Sequence, residues 1–225
     1  TYFCAPMIAQ DAPLGVLQVS LAQEPAAPAA ESLVKLATHV ADQLAWALAN
    51  LLLRETLRDQ SVRDSLTGLY NRRFLEESLV KEFARAAREK FSLAIFMLDV
   101  DHFKRFNDTY GHEAGDLVLR ELGRTLKASI RGGELVCRFG GEEFTIMLTH
   151  IDSASAQAWA QRLLERVRAL VVKSGETTLP KVTISMGLAM YPLHGTDPDT
   201  LLQAADLALY DAKHAGRDRL AVYEE

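Results

Sequence analysis

The 225-residue sequence predicts an α/β (α+β) protein in which helices surround a mixed sheet and one long helix comes first. From Asp64 to the C-terminus, helical and strand-like periodicities alternate. Two apolar runs flank Gly140–Glu143 as a hairpin, and Glu31–Asp64 holds neither proline nor glycine. The chain divides into residues 1–22, a linking segment at 23–63 and a main domain at 64–225.

The first two strands are YFCAPMIA and LGVLQVSL, split by the turn-like DAPLG. EPAAPAA (Glu24–Ala30) breaks the pattern with two prolines. The long helix follows. Leu33, Ala37, Val40, Leu44, Ala47 and Leu51 recur at spacings of four and three, the seam of a coiled coil, until Arg54 and Arg58 fall on it. An amphipathic helix packed on its own domain would share this pattern.

In the main domain a helix carries Leu75, Leu79 and Phe83, and Ser92–Val100 reads as a buried strand. A helix from about His112 presents Leu119, Leu122 and Leu126. ELVCRF and FTIMLT form the hairpin, and a helix with Trp159, Leu163, Val167 and Leu170 follows. The strand KVTISMGLAM, a helix with Leu201, Ala205, Ala208 and Ala212, and the short strand LAVY complete the series.

Composition narrows the function. Hydrophobic residues are 48%, charged residues 24% and the net charge is −5, with no basic run to hold a nucleic-acid backbone. Cys4 and Cys137 are too few for a disulfide framework and lack metal-ligand spacing, which fits a reducing compartment. No stretch has the length and apolarity of a membrane span. The chain opens as though in mid-strand and reads as a fragment of a longer, cytoplasmic protein.

Chemistry concentrates at a few points. Gly140 and Gly141 permit positive φ and put no side chain between backbone and a bound triphosphate. Glu142 and Glu143 follow at the turn, where a bland hairpin would favour Asn-Gly or Asp-Gly. Asp99 and Asp101, two apart at the end of an apolar strand, share one face in extended chain. Brought beside the glutamates, Asp99 would crowd like charges that a cation relieves, and an oxygen-only set suits Mg²⁺. Between Phe103 and Asp116, Asn and Asp side chains offer an amide and a carboxylate that match the guanine edge, although an Asn-Asp turn before a helix would look the same. No P-loop occurs, and Lys213 and Arg217, at i and i+4, are candidate cations.

Together DSLTGLYNRRFL, LDVDHFKRFNDTYGHEAGDLVL, RFGGEEF and ADLALYDAKHAGRDRL resemble the GGDEF diguanylate cyclase family, in order, from Asp64 to the C-terminus. Residues 1–22 more weakly resemble the tail of a GAF sensory domain. The resemblance implies a palm-like central sheet of about five strands and condensation of two GTP molecules into cyclic di-GMP by a homodimer. It implies that Asp99, Glu142 and the carbonyl of Val100 bind Mg²⁺, with Mn²⁺ as a substitute, and that Glu143 is the general base and a further metal contact. Asn107 and Asp116 would read guanine, with His112 beside the substrate. Family members that accept adenine carry a small hydroxyl residue where this chain has Asp116. The backbone around Phe103 and Lys104, with Lys213 and Arg217, would hold the triphosphate. The family's product-inhibition motif R-x-x-D stands here as Arg131-Gly132-Gly133-Glu134, with Arg162 as a candidate partner. Its longer carboxylate implies weakened inhibition. A catalytically silent module that binds GTP or cyclic di-GMP is the alternative.

Overall fold

The computed structural model describes residues 2–22 and 26–224, with all of their side chains except those of residues 27 and 55–61. Thr1, Gln23, Glu24, Pro25 and Glu225 lie outside the described residues, as does the Arg58 side chain. The chain forms two compact units, Thr1–Ser61 and Val62–Glu225.

The first unit holds β1 (Tyr2–Ala9), β2 (Ala12–Ser20) and α1 (Ala27–Val62). The hairpin turn is tighter than the DAPLG expected. Only Gln10 and Asp11 connect the strands, both at positive φ (50° and 61°), the twist that suits a two-residue hairpin. The long helix begins before Glu31, because Pro28 occupies its first turn, where a missing N–H breaks no intrahelical bond. Ala37, Ala41 and Ala45 form a buried stripe on α1, while Leu33, Val40, Leu44 and Leu51 of the seam are exposed. Among the described residues no helix is long and apolar enough to cross a membrane.

The second unit runs β3 (Tyr70–Asn71), α2 (Arg72–Glu89), β4 (Leu93–Val100), α3 (Phe103–Tyr110), α4 (His112–Ser129), β5 (Leu135–Arg138), β6 (Glu143–Thr149) and α5 (Ser153–Arg168). A two-residue-strand hairpin follows, β7 (Lys173–Ser174) and β8 (Thr177–Thr178), then β9 (Ile184–Tyr191), α6 (Pro198–His214) and β10 (Leu220–Val222). Among the described residues the central sheet has the order β10-β9-β4-β6-β5-β3. The inner pairings are antiparallel, and β10 and β3 add parallel edges. The five expected strands are present, and the pair Tyr70–Asn71 is an extra edge.

All eight residues of β4 are buried, because helices cover both faces. Ala94, Phe96 and Leu98 pack in one core with α4 and α5 residues such as Leu122 and Leu163. Leu93, Ile95 and Met97 pack in the other with α2 and α6 residues such as Leu79 and Leu209. Cys137 is fully buried, and burial pushes its thiol up to about 12, the inert state of a core cysteine. Asp152 and Asp197 cap α5 and α6, accepting from Ser155 N at 2.8 Å and Thr200 N at 2.9 Å.

Candidate active site

The acidic residues meet at the C-terminal end of β4. Antiparallel register sets Asp99 opposite Glu143 on β6 and Ser185 on β9. Val100 N donates to Glu142 O at 3.2 Å, which ties the signature turn to the strand end. Asp99 follows Leu93, Ile95 and Met97 on the α2/α6 face, and Lys213 of α6 reaches it with Nζ 2.8 Å from Oδ2. Burial pushes the Asp99 carboxyl up and Asp101 adds repulsion, against the pull of Lys213 and Arg217. Glu142 is also raised, by burial and then by Asp99 and Glu143, against Lys213.

These raised carboxyls bear on the metal expectation. Among the described residues no three acidic, histidine or cysteine side chains converge into a ready-made metal cluster. Two oxygen ligands with a surplus of negative charge nevertheless fit a hard divalent cation that takes its other ligands from water and phosphates.

Asp99 and Asp101 do not act as a pair. Asp101 accepts from Thr183 Oγ1 at 2.6 Å, Ser185 Oγ at 2.7 Å and Asp218 N at 3.0 Å, so its carboxylate is spent on holding structure. That contact fixes the loop after α6. Arg217 and Asp218 there adopt positive φ, and Arg168 grips Asp218 with Nε 2.9 Å from both carboxylate oxygens. Arg217 therefore lies beyond α6, not one turn above Lys213. Gly216 ends the helical geometry before the expected i, i+4 relation can form.

The signature glycines also differ from expectation. Neither Gly140 nor Gly141 is at positive φ, so backbone conformation does not require glycine at either position. A Cβ on Gly140 would lie 2.8 Å from Glu143 Oε2, whereas one on Gly141 would meet nothing within 4 Å. Arg138 holds this turn, donating to Gly141 O through Nη2 at 2.7 Å and to both Asp64 carboxylate oxygens at 3.2 Å. Burial pushes Asp64 up, but Thr67 and Arg138 outweigh it and its carboxyl lies below the usual range. An arginine beside a strand end gave no sequence signal, because its partner lies 74 residues away.

The segment expected to be an Asn-Asp turn is the helix α3. Phe103 and Phe106 bury on one side, and α3 packs on α4 as a short helical pair. Phe103 and Lys104 open α3 four residues past Asp99, with Phe103 buried and Lys104 exposed. Asn107 on α3 and Asp116 on α4 are half-buried, and His112 is exposed at the start of α4. Asn107 Oδ1 is buried and takes no hydrogen bond among the described residues. Separately, Arg131, Glu134 and Arg162 line one cavity of about 630 Å³, together with Trp159 and Arg166. Glu134 Oε2 accepts from Arg131 N at 2.6 Å, closing the loop on itself.

The family model for the diguanylate cyclase GGDEF domain matches residues 61–219. The chain belongs to this family. GGDEF relatives include the probable diguanylate cyclase DgcT of Escherichia coli, 39% identical over 161 residues, which are 71% of this chain and 35% of DgcT. Diguanylate cyclase DgcP of Pseudomonas aeruginosa is 40% identical over 174 residues, covering 75% of this chain and 25% of DgcP. The chain thus spans a quarter to about a third of the length of these curated relatives. Among solved structures, the coiled coil and GGDEF domain of Caulobacter crescentus DgcB in complex with c-di-GMP superposes with TM-score 0.76 at 27% identity, covering 83% of this chain and 98% of that one. Diguanylate cyclase SiaD from P. aeruginosa, in complex with its activator SiaC, gives 0.70 at 37% identity, covering 87% and 73%. The fold is therefore the palm-like GGDEF α/β fold.

Proposed function

We propose that this chain is a diguanylate cyclase, condensing two GTP molecules into cyclic di-GMP with release of two pyrophosphates. The observation that carries the reading is the register that sets Asp99 opposite Glu143, with Glu142 tied to Val100 and Lys213 against Asp99. A merely solvated acidic hairpin would not be joined to a buried carboxylate and an ammonium.

Glu143 takes the proton from a ribose 3′-hydroxyl, whose oxygen attacks the α-phosphorus of the other GTP. A P–O bond forms, the bond to pyrophosphate breaks, and the same exchange in the opposite sense closes the ring. Asp99, Glu142 and the Val100 carbonyl would hold the divalent cation, Mg²⁺ or Mn²⁺, with Glu143 alongside. Bound there, that ion supplies charge stabilisation to the phosphate and the leaving group. Lys213, Arg217 and the backbone at Phe103 and Lys104 hold the triphosphate. Asn107 and Asp116 select guanine, and His112 lies beside the substrate. The unpartnered Asn107 Oδ1 supports a ligand contact there, since a buried polar atom without a partner is costly.

Each domain binds one GTP, so turnover needs two chains face to face, and the exposed seam of α1 is the device that joins them. Arg131, Glu134 and Arg162 form a product site in which cyclic di-GMP inhibits weakly, because Glu134 is engaged with its own loop. Cytoplasmic residence, where GTP is made, and a sensory role for residues 1–22 belong to the same reading.

Glu143→Gln tests the reaction. Product formation from GTP and Mg²⁺ should fall about 100-fold or more, with GTP binding by calorimetry nearly unchanged. Wild-type cyclisation by this variant would overturn the assignment of the base.

A further inference from the structure

Gly115 is the fourth residue of α4, buried, with its N–H donating to Gly111 O at 3.2 Å. Alanine would ordinarily be the better helix former at such a position. Here a Cβ would lie 1.9 Å from Asn107 Oδ1, 3.0 Å from Asn107 Cγ and 3.1 Å from Phe103 Cζ. The backbone is not the reason, since Gly115 is absent from the positive-φ glycines. The nearest obstacle is the amide of Asn107, whose oxygen occupies the space that a Cβ would fill.

We propose that Gly115 is a positioning residue for nucleotide recognition, providing the seat that holds the Asn107 amide at the α3–α4 junction. The inference rests on the reading of Asn107 as a guanine contact. Asn107 reaches this place from the last turn of α3, where Gly111 N bonds its carbonyl at 2.8 Å. Its Oδ1 is buried and unpartnered among the described residues, so no hydrogen bond among them fixes the amide there, and the packing against Gly115 does so. Asp116 is the next residue on α4, so the same seat sets the amide beside the second candidate guanine contact. A methyl at 115 would push the amide out of this place while leaving Asp99 and Glu143 on their strands and Glu142 in its turn.

The test is a double-mutant cycle on the full chain with Gly115→Ala, Asn107→Ala and the pair, reading KM for GTP, kcat and thermal unfolding. Gly115→Ala should raise KM about tenfold with kcat changed by less than about threefold, as loss of one buried hydrogen bond to substrate would. The pair should be no worse than Asn107→Ala alone. Unfolding gives an independent readout. The methyl should lower the melting temperature clearly more when Asn107 is present than when it is alanine, because the closest colliding atoms are then gone and only Phe103 Cζ, at 3.1 Å, must give. Wild-type KM for Gly115→Ala with a raised KM for Asn107→Ala would overturn the inference alone. So would effects that multiply in the pair. Wild-type KM for Asn107→Ala would overturn the guanine reading itself.

Discussion

Burial and then Asp101 push Asp99 up, and burial followed by Asp99 and Glu143 pushes Glu142 up, so folding brings together charges that the unfolded chain keeps apart. A carboxyl raised in the folded state binds its proton more tightly there than in the unfolded chain. Its contribution to stability is therefore full at acid pH and lost as pH rises through the raised range. Glu142→Gln removes one of the repelling charges. Without divalent cation it should melt higher than wild type, by about 1–2 °C for a gain of about 0.5 kcal/mol. The gap should open as pH rises and close as pH falls. Saturating Mg²⁺ should reverse the order, since only the wild type keeps both carboxylates. Thermal melts across pH, with and without Mg²⁺, check all three. At the same scale, Glu134→Asp shortens the carboxylate that now bonds Arg131 N, and it should strengthen inhibition by cyclic di-GMP several-fold. Initial rates against added product measure it; unchanged inhibition would remove Glu134 from the product site.

Helix α6 has to lie close to β9 for Lys213 to reach Asp99, and Gly187 permits that approach. A Cβ on Gly187 would meet Ala205 O and Leu209 N at 2.1 Å, both backbone atoms that no side-chain rotation can move aside. Gly187→Ala should cost about 3 kcal/mol or more, lowering the melting temperature by about 6–12 °C. Activity should fall further than the folded fraction does, because α6 can accommodate the methyl only by carrying Lys213 away from Asp99. Unfolding and activity measured on one preparation separate the two effects. The α6–β10 loop is a second element whose role lies in its anchors. Asp101 and Arg168 hold Asp218 and so fix Arg217, which the helix itself does not carry.

For the whole molecule the proposed dimer is decisive, since one domain offers one GTP site. Leu44 lies on the exposed seam of α1, and Leu44→Glu should shift the chain toward monomer in light scattering. Its rate per chain should fall most at low concentration and recover as concentration rises. Activity independent of concentration in this variant would place the dimer contact elsewhere. The alternation of strands and helices, the buried β4 and the acidic turn were legible in the sequence, because apolar period and adjacent charges are local signals, whereas the order of strands in the sheet was not. The helix α3 was not, because its short Phe103–Tyr110 run holds Asn, Asp and Thr, which favour turns until packing on α4 decides. By itself the sequence determined which residue types stand at the strand end, the hairpin and the α3–α4 junction. Only the tertiary structure decided which carboxylate meets Lys213, which one is absorbed by Thr183 and Ser185, and why Gly115 and Gly187 carry no side chain. The reason is physical: charge pairing and close approach join residues far apart along the chain, and such distances leave no periodicity to read.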